Sequence, residues 1–82
     1  MVTTKTSVAD FKRHFAHRLR VAIAVADMTP NALAEMTGIN STSIYDWIHG
    51  EHTPNAHRLA QICVALNVDA NKLLGIRRGD AQ

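Results

Sequence analysis

The stretch 28–54 constrains the fold of this chain more than any other part of the sequence. Thr29 and the proline after it form a strong helix start, because the hydroxyl can cap free amides and proline needs no donor there. Gly38 then ends this helix, since glycine enters the left-handed conformation without a steric penalty. Asn40, just past the turn, is a second cap. The stretch therefore predicts two short helices, 30–37 and 41–49, joined by a tight turn.

Apolar residues at three- and four-residue steps predict helices in the rest of the chain. The first runs from Val8 to about Asp27, with Ser7 as its cap. A fourth helix is predicted to begin at Thr53-Pro54, where the capped start of the second helix is repeated. The fold class is therefore all-α. The expected layout is a flexible tail at 1–7, one five-helix domain at 8–76 whose last two helices span 54–66 and 70–74, and a flexible tail at 77–82.

The composition limits the classes of protein to which the chain can belong. Of its 82 residues, 46% are apolar and 20% charged, which is typical of a folded domain. A single cysteine excludes an intrachain disulfide, and no apolar run approaches the roughly 20 residues of a membrane span. The polar start lacks the features of a signal peptide, so we expect a cytoplasmic protein. The formal net charge of +2 does not by itself predict a nucleic-acid partner.

The third predicted helix has an unusual outer face. Ile44, Trp47 and Ile48 would face the core, whereas the opposite side carries hydroxyls, a phenol, a carboxylate and an imidazole. Such groups suit hydrogen bonding better than solubility alone. With the small Ala34 at the predicted crossing and Ile39 below the turn, the pattern is that of a helix-turn-helix, although an ordinary helical hairpin has the same local signals. The outer-face residues are Ser41, Thr42, Tyr45, Asp46 and His49.

Residues of matching type recur at matching spacing along most of the chain, from about Leu19 to Gly75. With them the chain resembles the phage repressor and Cro-like (lambda-repressor-like) helix-turn-helix domains, which implies a compact five-helix fold. The residues are Met28-Thr29, Leu33-Ala34, Gly38-Ile39-Asn40, Ile44, Trp47, Gly50, Pro54, Leu59, Ala65-Leu66-Asn67-Val68 and Leu73-Leu74-Gly75.

The resemblance implies that the helix at 41–49 enters the major groove of DNA, while the helix at 30–37 lies across the backbone. Relatives commonly touch bases at the positions of Ser41, Thr42 and Asp46, and Tyr45 is a further candidate that could meet a thymine methyl group or a phosphate. A solvent-exposed or dimer-facing role for this tyrosine is an equal alternative. Phosphate contacts are expected from residues at helix starts and in the following turn, namely Thr29, Asn31, Asn40, His49, His52 and Asn55.

Asp46 is the least expected residue of this outer face, because phosphates repel a carboxylate. It could accept a hydrogen bond from a cytosine amino group, or it could orient a neighbouring Arg or Lys. A surface acid that only faces solvent is the third alternative, and the sequence leaves all three open.

Two departures from the family pattern change the expected contacts. Pro30 stands where a glutamine is common, so one contact that positions the helix on a phosphate is expected to be missing. Ile48 stands where a glutamate often meets an arginine of the first helix, and Ile23 occupies that arginine's position. We therefore predict that these two isoleucines touch, since apolar packing can replace a buried ion pair without loss of stability.

The sequence favours a sequence-specific regulator of transcription that binds double-stranded DNA, of the phage or prokaryotic repressor/Cro type, in a bacterial host cell. It would occlude an operator, and a homodimer could form through the last helix, around Leu73 to Ile76, or through the first. Restriction-modification controllers and antitoxins are similar in size, and a protein-interaction module is the alternative without DNA. His14 and His17 lack the further ligands of a metal site, and we expect no cofactor, no small-molecule ligand and no enzymatic activity.

Overall fold

Five helices follow one another in the computed structural model, which describes residues 7–76. No strand occurs among these residues, so the predicted all-α class and the number of helices are confirmed. The tails predicted at 1–7 and 77–82 lie outside the described residues, except for Ser7. The helices are α1 (Val8–Val25), α2 (Pro30–Thr37), α3 (Ser41–Ile48), α4 (Ala56–Leu66) and α5 (Ala70–Leu74).

Every helix begins behind a side chain that accepts a hydrogen bond from one of its free amides. Such a cap is worth about 1 kcal/mol. In a chain this small, five caps are a large part of what holds short helices in place. The caps are Ser7, Thr29, Asn40, Asn55 and Asp69, which accept from the amides of Asp10, Ala32, Thr42, Arg58 and Asn71.

The predicted start of the fourth helix is wrong by two residues. Asn55, and not Thr53, is the cap of α4: its backbone is extended and its Oδ1 lies 2.8 Å from the amide nitrogen of Arg58. Pro54 consequently precedes the helix. The first helix also ends earlier than predicted, at Val25, because Asp27 has a left-handed backbone with φ of 59°. The third helix ends at Ile48, with His49 as its C-cap.

The turn between α2 and α3 has the predicted geometry. Gly38 is left-handed, with φ of 76°, and its amide donates to the carbonyl of Ala34 at 2.8 Å. The hydroxyl of Thr37 donates to the carbonyl of Leu33 and accepts from the amide of Ile39, so it bridges the two sides of the turn. Ala34 and Ile39 are both buried, as their predicted places at the helix crossing require.

One core joins the helices. Four of them contribute its fully buried large side chains, which are Phe15, Leu19, Leu33, Ile44 and Ile62. α1 packs against α3 and α5, while α2 packs against α3 and α4. Ile23 and Ile48 are both buried in this core, and direct contact between them stays a prediction.

The last helix is more buried than expected. Leu73, predicted to be an exposed residue at a dimer surface, is only 2% exposed and belongs to the core. Ile76 is exposed, and so are Val21 and Val25 of α1. Further exposed apolar residues are Val8 of α1, Met36 of α2 and Val64 of α4, so the exposed apolar surface is shared among several helices. No helix within residues 7–76 has both the length and the apolar character needed to cross a membrane.

The turn at Gly38 allows a direct test of its backbone. A Cβ built on this glycine has no atom within 4 Å, so the cost of Gly38→Ala should come from the left-handed backbone alone. We expect a loss of about 1–2 kcal/mol in the free energy of unfolding, measured by urea denaturation. Gly38→Asn is the matched control and should lose less, because asparagine tolerates this conformation better. An alanine variant as stable as the parent would contradict the left-handed turn.

Candidate nucleic-acid interface

α3 separates an apolar side from a polar side. Ile44, Trp47 and Ile48 are buried, whereas Thr42 and Tyr45 are exposed. Ser41 and Asp46 are half-buried at the edges of the outer face. The four residues predicted to read bases therefore lie together on the accessible side of one helix, which the core holds from behind.

Three of the predicted phosphate-binding residues are helix caps. The oxygens of Thr29, Asn40 and Asn55 each accept from an amide inside their own helix, at distances of 2.8–3.0 Å. Capping uses the acceptor of each group, and the hydroxyl hydrogen and the two side-chain amides can still donate. All three residues are exposed. They can thus stabilise their helices and donate to an anion at the same time.

Two other predicted phosphate-binding residues lie at the start of α2 and at the C-terminal end of α3. Asn31 is exposed in the first turn of α2. His49 is exposed at the C-cap of α3, and its ring lies 6.0 Å from the ring of Tyr45, tilted by 33°. Their aromatic faces extend the outer surface of α3 beyond its last turn.

Asp46 is the only charged residue of α3 and is held by the loop that follows the helix. Its backbone carbonyl accepts from the amides of Glu51 and His52, at 2.9 and 3.4 Å. The carboxylate also lies beside His52, with 3.7 Å between Oδ2 and Nδ1. Neither Arg nor Lys forms a salt bridge with Asp46 in the described part of the chain, so its basic neighbour there is a histidine.

Arg20 is a positioning residue that the sequence did not single out. Its Nη1 donates to the backbone carbonyl of Ile48 at 2.6 Å, across 28 residues of sequence. That carbonyl belongs to the last turn of α3, where helices have carbonyls without partners and where a cation is favoured. Arg20 lies one turn before Ile23, the position at which the family pattern has its arginine. The sequence did contain a signal for this bond: Arg20 lies three residues before Ile23, so both residues are on the same face of α1.

Two other basic residues of α1, Arg13 and Arg18, also have neighbours within the molecule. Arg13 pairs with Asp10 at 2.7 Å, and hydrogen bonds from the Arg13 guanidinium and from the Ser7 hydroxyl hold the pKa of the Asp10 carboxyl below its usual value. The guanidinium of Arg18 lies over Gly75, where an added Cβ would come within 2.6 Å of its carbon. The basic character of α1 is therefore only partly free for an external partner.

The single thiol of the chain lies outside this interface. Cys63 is buried in the core, and this burial raises the pKa of its thiol. No group of three or more potential metal ligands occurs within residues 7–76.

The bond from Arg20 should contribute to the position of α3 and to stability. Arg20→Met keeps most of the apolar stem but removes the donor, and we expect a loss of about 1.5–3 kcal/mol in the free energy of unfolding. Arg13→Met is the matched control, because its pair with Asp10 is exposed, and it should stay close to the parent. Urea denaturation measures both variants. Equal stability of the two would show that the Ile48 carbonyl does not need this donor.

Comparison with known proteins identifies the family. A model of the Cro/C1-type HTH DNA-binding domain matches residues 18–77, which is more than half of the chain and includes all five helices in part or whole. No curated protein and no solved structure gives a significant match. The matched region contains the turn at Gly38 and the whole of α3. The chain therefore belongs to the Cro/C1-type helix-turn-helix DNA-binding family.

Proposed function

We propose that the protein is a sequence-specific regulator of transcription of the repressor or Cro type, which inserts α3 into the major groove and occludes an operator. The observation that carries the proposal is the division of α3 into a buried apolar side and an accessible polar side. The apolar side fixes the helix on the core, and the polar side carries groups that both donate and accept hydrogen bonds. Base edges in the major groove present the complementary pattern of donors and acceptors.

Four side chains would read bases. The hydroxyls of Ser41 and Thr42 stand in the first turn of α3, the part of a recognition helix that enters the groove most deeply. Tyr45 follows one turn later and would meet a thymine methyl group or a phosphate. Asp46 can only accept in its ionised form, which fits the amino group of a cytosine.

Phosphate contacts would set the register of α3 on the duplex. The exposed caps Thr29, Asn40 and Asn55 would donate to phosphates from the starts of three helices, where the helix dipole also favours an anion. Asn31, His49 and His52 would add donors beside them. These contacts are independent of sequence, so specificity would depend on the outer face of α3.

A homodimer would let two copies of α3 read successive major grooves, about 34 Å apart. The exposed apolar residues of α1 support such an assembly. Val25 is 80% exposed, and with Val21 and Val68 it lines a groove of about 320 Å³ between α1 and the start of α5. A second copy packed against this part of α1 would cover that surface.

Selection of bound sites from a random duplex pool tests the function and the assembly together. We expect enrichment of a palindrome whose half-sites are about one helical turn apart. Affinity for the selected site should fall with salt, because cations that neutralise phosphates release counterions. A pool without enrichment, or binding that does not respond to salt, would contradict DNA reading and favour a protein-interaction module.

Asp46→Ala tests direct reading by the carboxylate. We expect the preference for one base pair of the selected site to weaken by about 1–3 kcal/mol, because an amino group loses its acceptor. Fluorescence anisotropy with the selected duplex and with a duplex changed at each position measures this preference. Glu35→Ala is the charge-matched control, since it removes an exposed carboxylate of α2. If both variants only bind every duplex more tightly, Asp46 has no reading role.

A further inference from the structure

His52 contacts Asp46 through its backbone and through its side chain. Its backbone amide donates to the carbonyl of Asp46 at 3.4 Å, and the neighbouring amide of Glu51 donates to the same oxygen. The imidazole then lies with Nδ1 at 3.7 Å from Oδ2 of the carboxylate. This separation is in the range of an ion pair and is longer than a hydrogen bond. The loop after α3 therefore places the His52 ring beside the Asp46 side chain.

In the free protein this pair is too exposed to matter for stability. The side chains of His52 and Asp46 are 69% and 44% exposed, and pairs of this kind contribute little in water. A bound duplex would change their surroundings. It excludes water, which strengthens the attraction between opposite charges.

A cation beside Asp46 would also remove the main objection to a carboxylate on this helix. α3 carries no basic residue that could offset the charge of Asp46 against the phosphates. The protonated ring of His52 on Oδ2 would supply that charge and restrict rotation of the carboxylate. The second oxygen, Oδ1, then stays free to accept from a base.

We propose that His52 is a positioning residue for sequence reading: its imidazolium holds Oδ2 of Asp46 so that Oδ1 accepts from the amino group of a cytosine in the major groove. The inference rests on the proposed function and changes one part of it. His52 acts here through Asp46 and not through a phosphate. A phosphate contact would strengthen binding to every sequence, whereas a positioning contact strengthens binding to one base pair.

A double-mutant cycle separates these roles. The measured quantity is the preference, defined as the ratio of dissociation constants for the duplex changed at the cytosine pair and for the selected duplex. His52→Ala should lower this preference by about 2- to 5-fold, the range of an exposed charge pair. In protein that already carries Asp46→Ala, His52→Ala should not alter the preference. His52→Lys should restore much of the preference, because it returns a cation to the loop.

His57→Ala is the control for loss of a histidine. His57 is exposed at the start of α4 and lines the groove between α2 and α4, so its removal should not alter the preference. Thermal unfolding of each variant shows that the fold is kept. If His52→Ala weakens both duplexes by the same factor, in either background, His52 is a phosphate contact and the inference fails. If the parent protein has no preference among duplexes, the proposed function fails as well.

Discussion

The burial of one side of α3 is the interaction on which the rest of the structure depends. A helix of eight residues is not stable in water by itself, because nucleation costs more than so few hydrogen bonds return. Ile44, Trp47 and Ile48 give it a place on the core, and Arg20 holds its last carbonyl from α1. These contacts hold α3 in place from its buried side, so the residues of its accessible side do not have to pack against the core. Its polar residues are therefore available for chemistry with a partner.

Local signals in the sequence predict most of this framework. Ser7, Thr29 and Asn40 were recognised as caps, since each combines a suitable side chain with a following apolar period. The start of α4 was missed because Thr53 and Asn55 both satisfy the local rule for a cap. A proline after the threonine strengthened the wrong choice. The backbone of the loop, which the carbonyl of Asp46 holds through two amides, is a feature of the folded chain and has no local signal.

Contacts between distant residues account for what the sequence could not show. The bond from Arg20 to Ile48 joins positions 28 residues apart. Because its acceptor is a backbone carbonyl, the identity of the side chain at position 48 does not indicate it. Asp46 was recognised as unusual from charge alone, and a neighbouring Arg or Lys was one of the three alternatives that the sequence left open. His52 became its neighbour because the chain turns back after α3. Leu73 was expected to be exposed because the periodicity of a five-residue helix does not define which of its sides meets the core.

The distribution of charge connects the fold with the proposed mode of binding. Arg13 pairs with an aspartate, Arg18 lies against the end of α5, and Arg20 donates to a backbone carbonyl. Much of the basic charge of α1 therefore has neighbours inside the molecule. With a net charge of only +2, one copy has limited non-specific attraction for a polyanion. On the proposed mode of binding, affinity then has to come from directed hydrogen bonds and from two copies acting on linked half-sites. Joining two weak half-sites in one dimer multiplies their affinities without new contacts in either half. A single half-site is then bound only weakly. Occupancy of the DNA would therefore depend more on the base sequence of both half-sites, which α3 reads, than on non-specific electrostatic attraction.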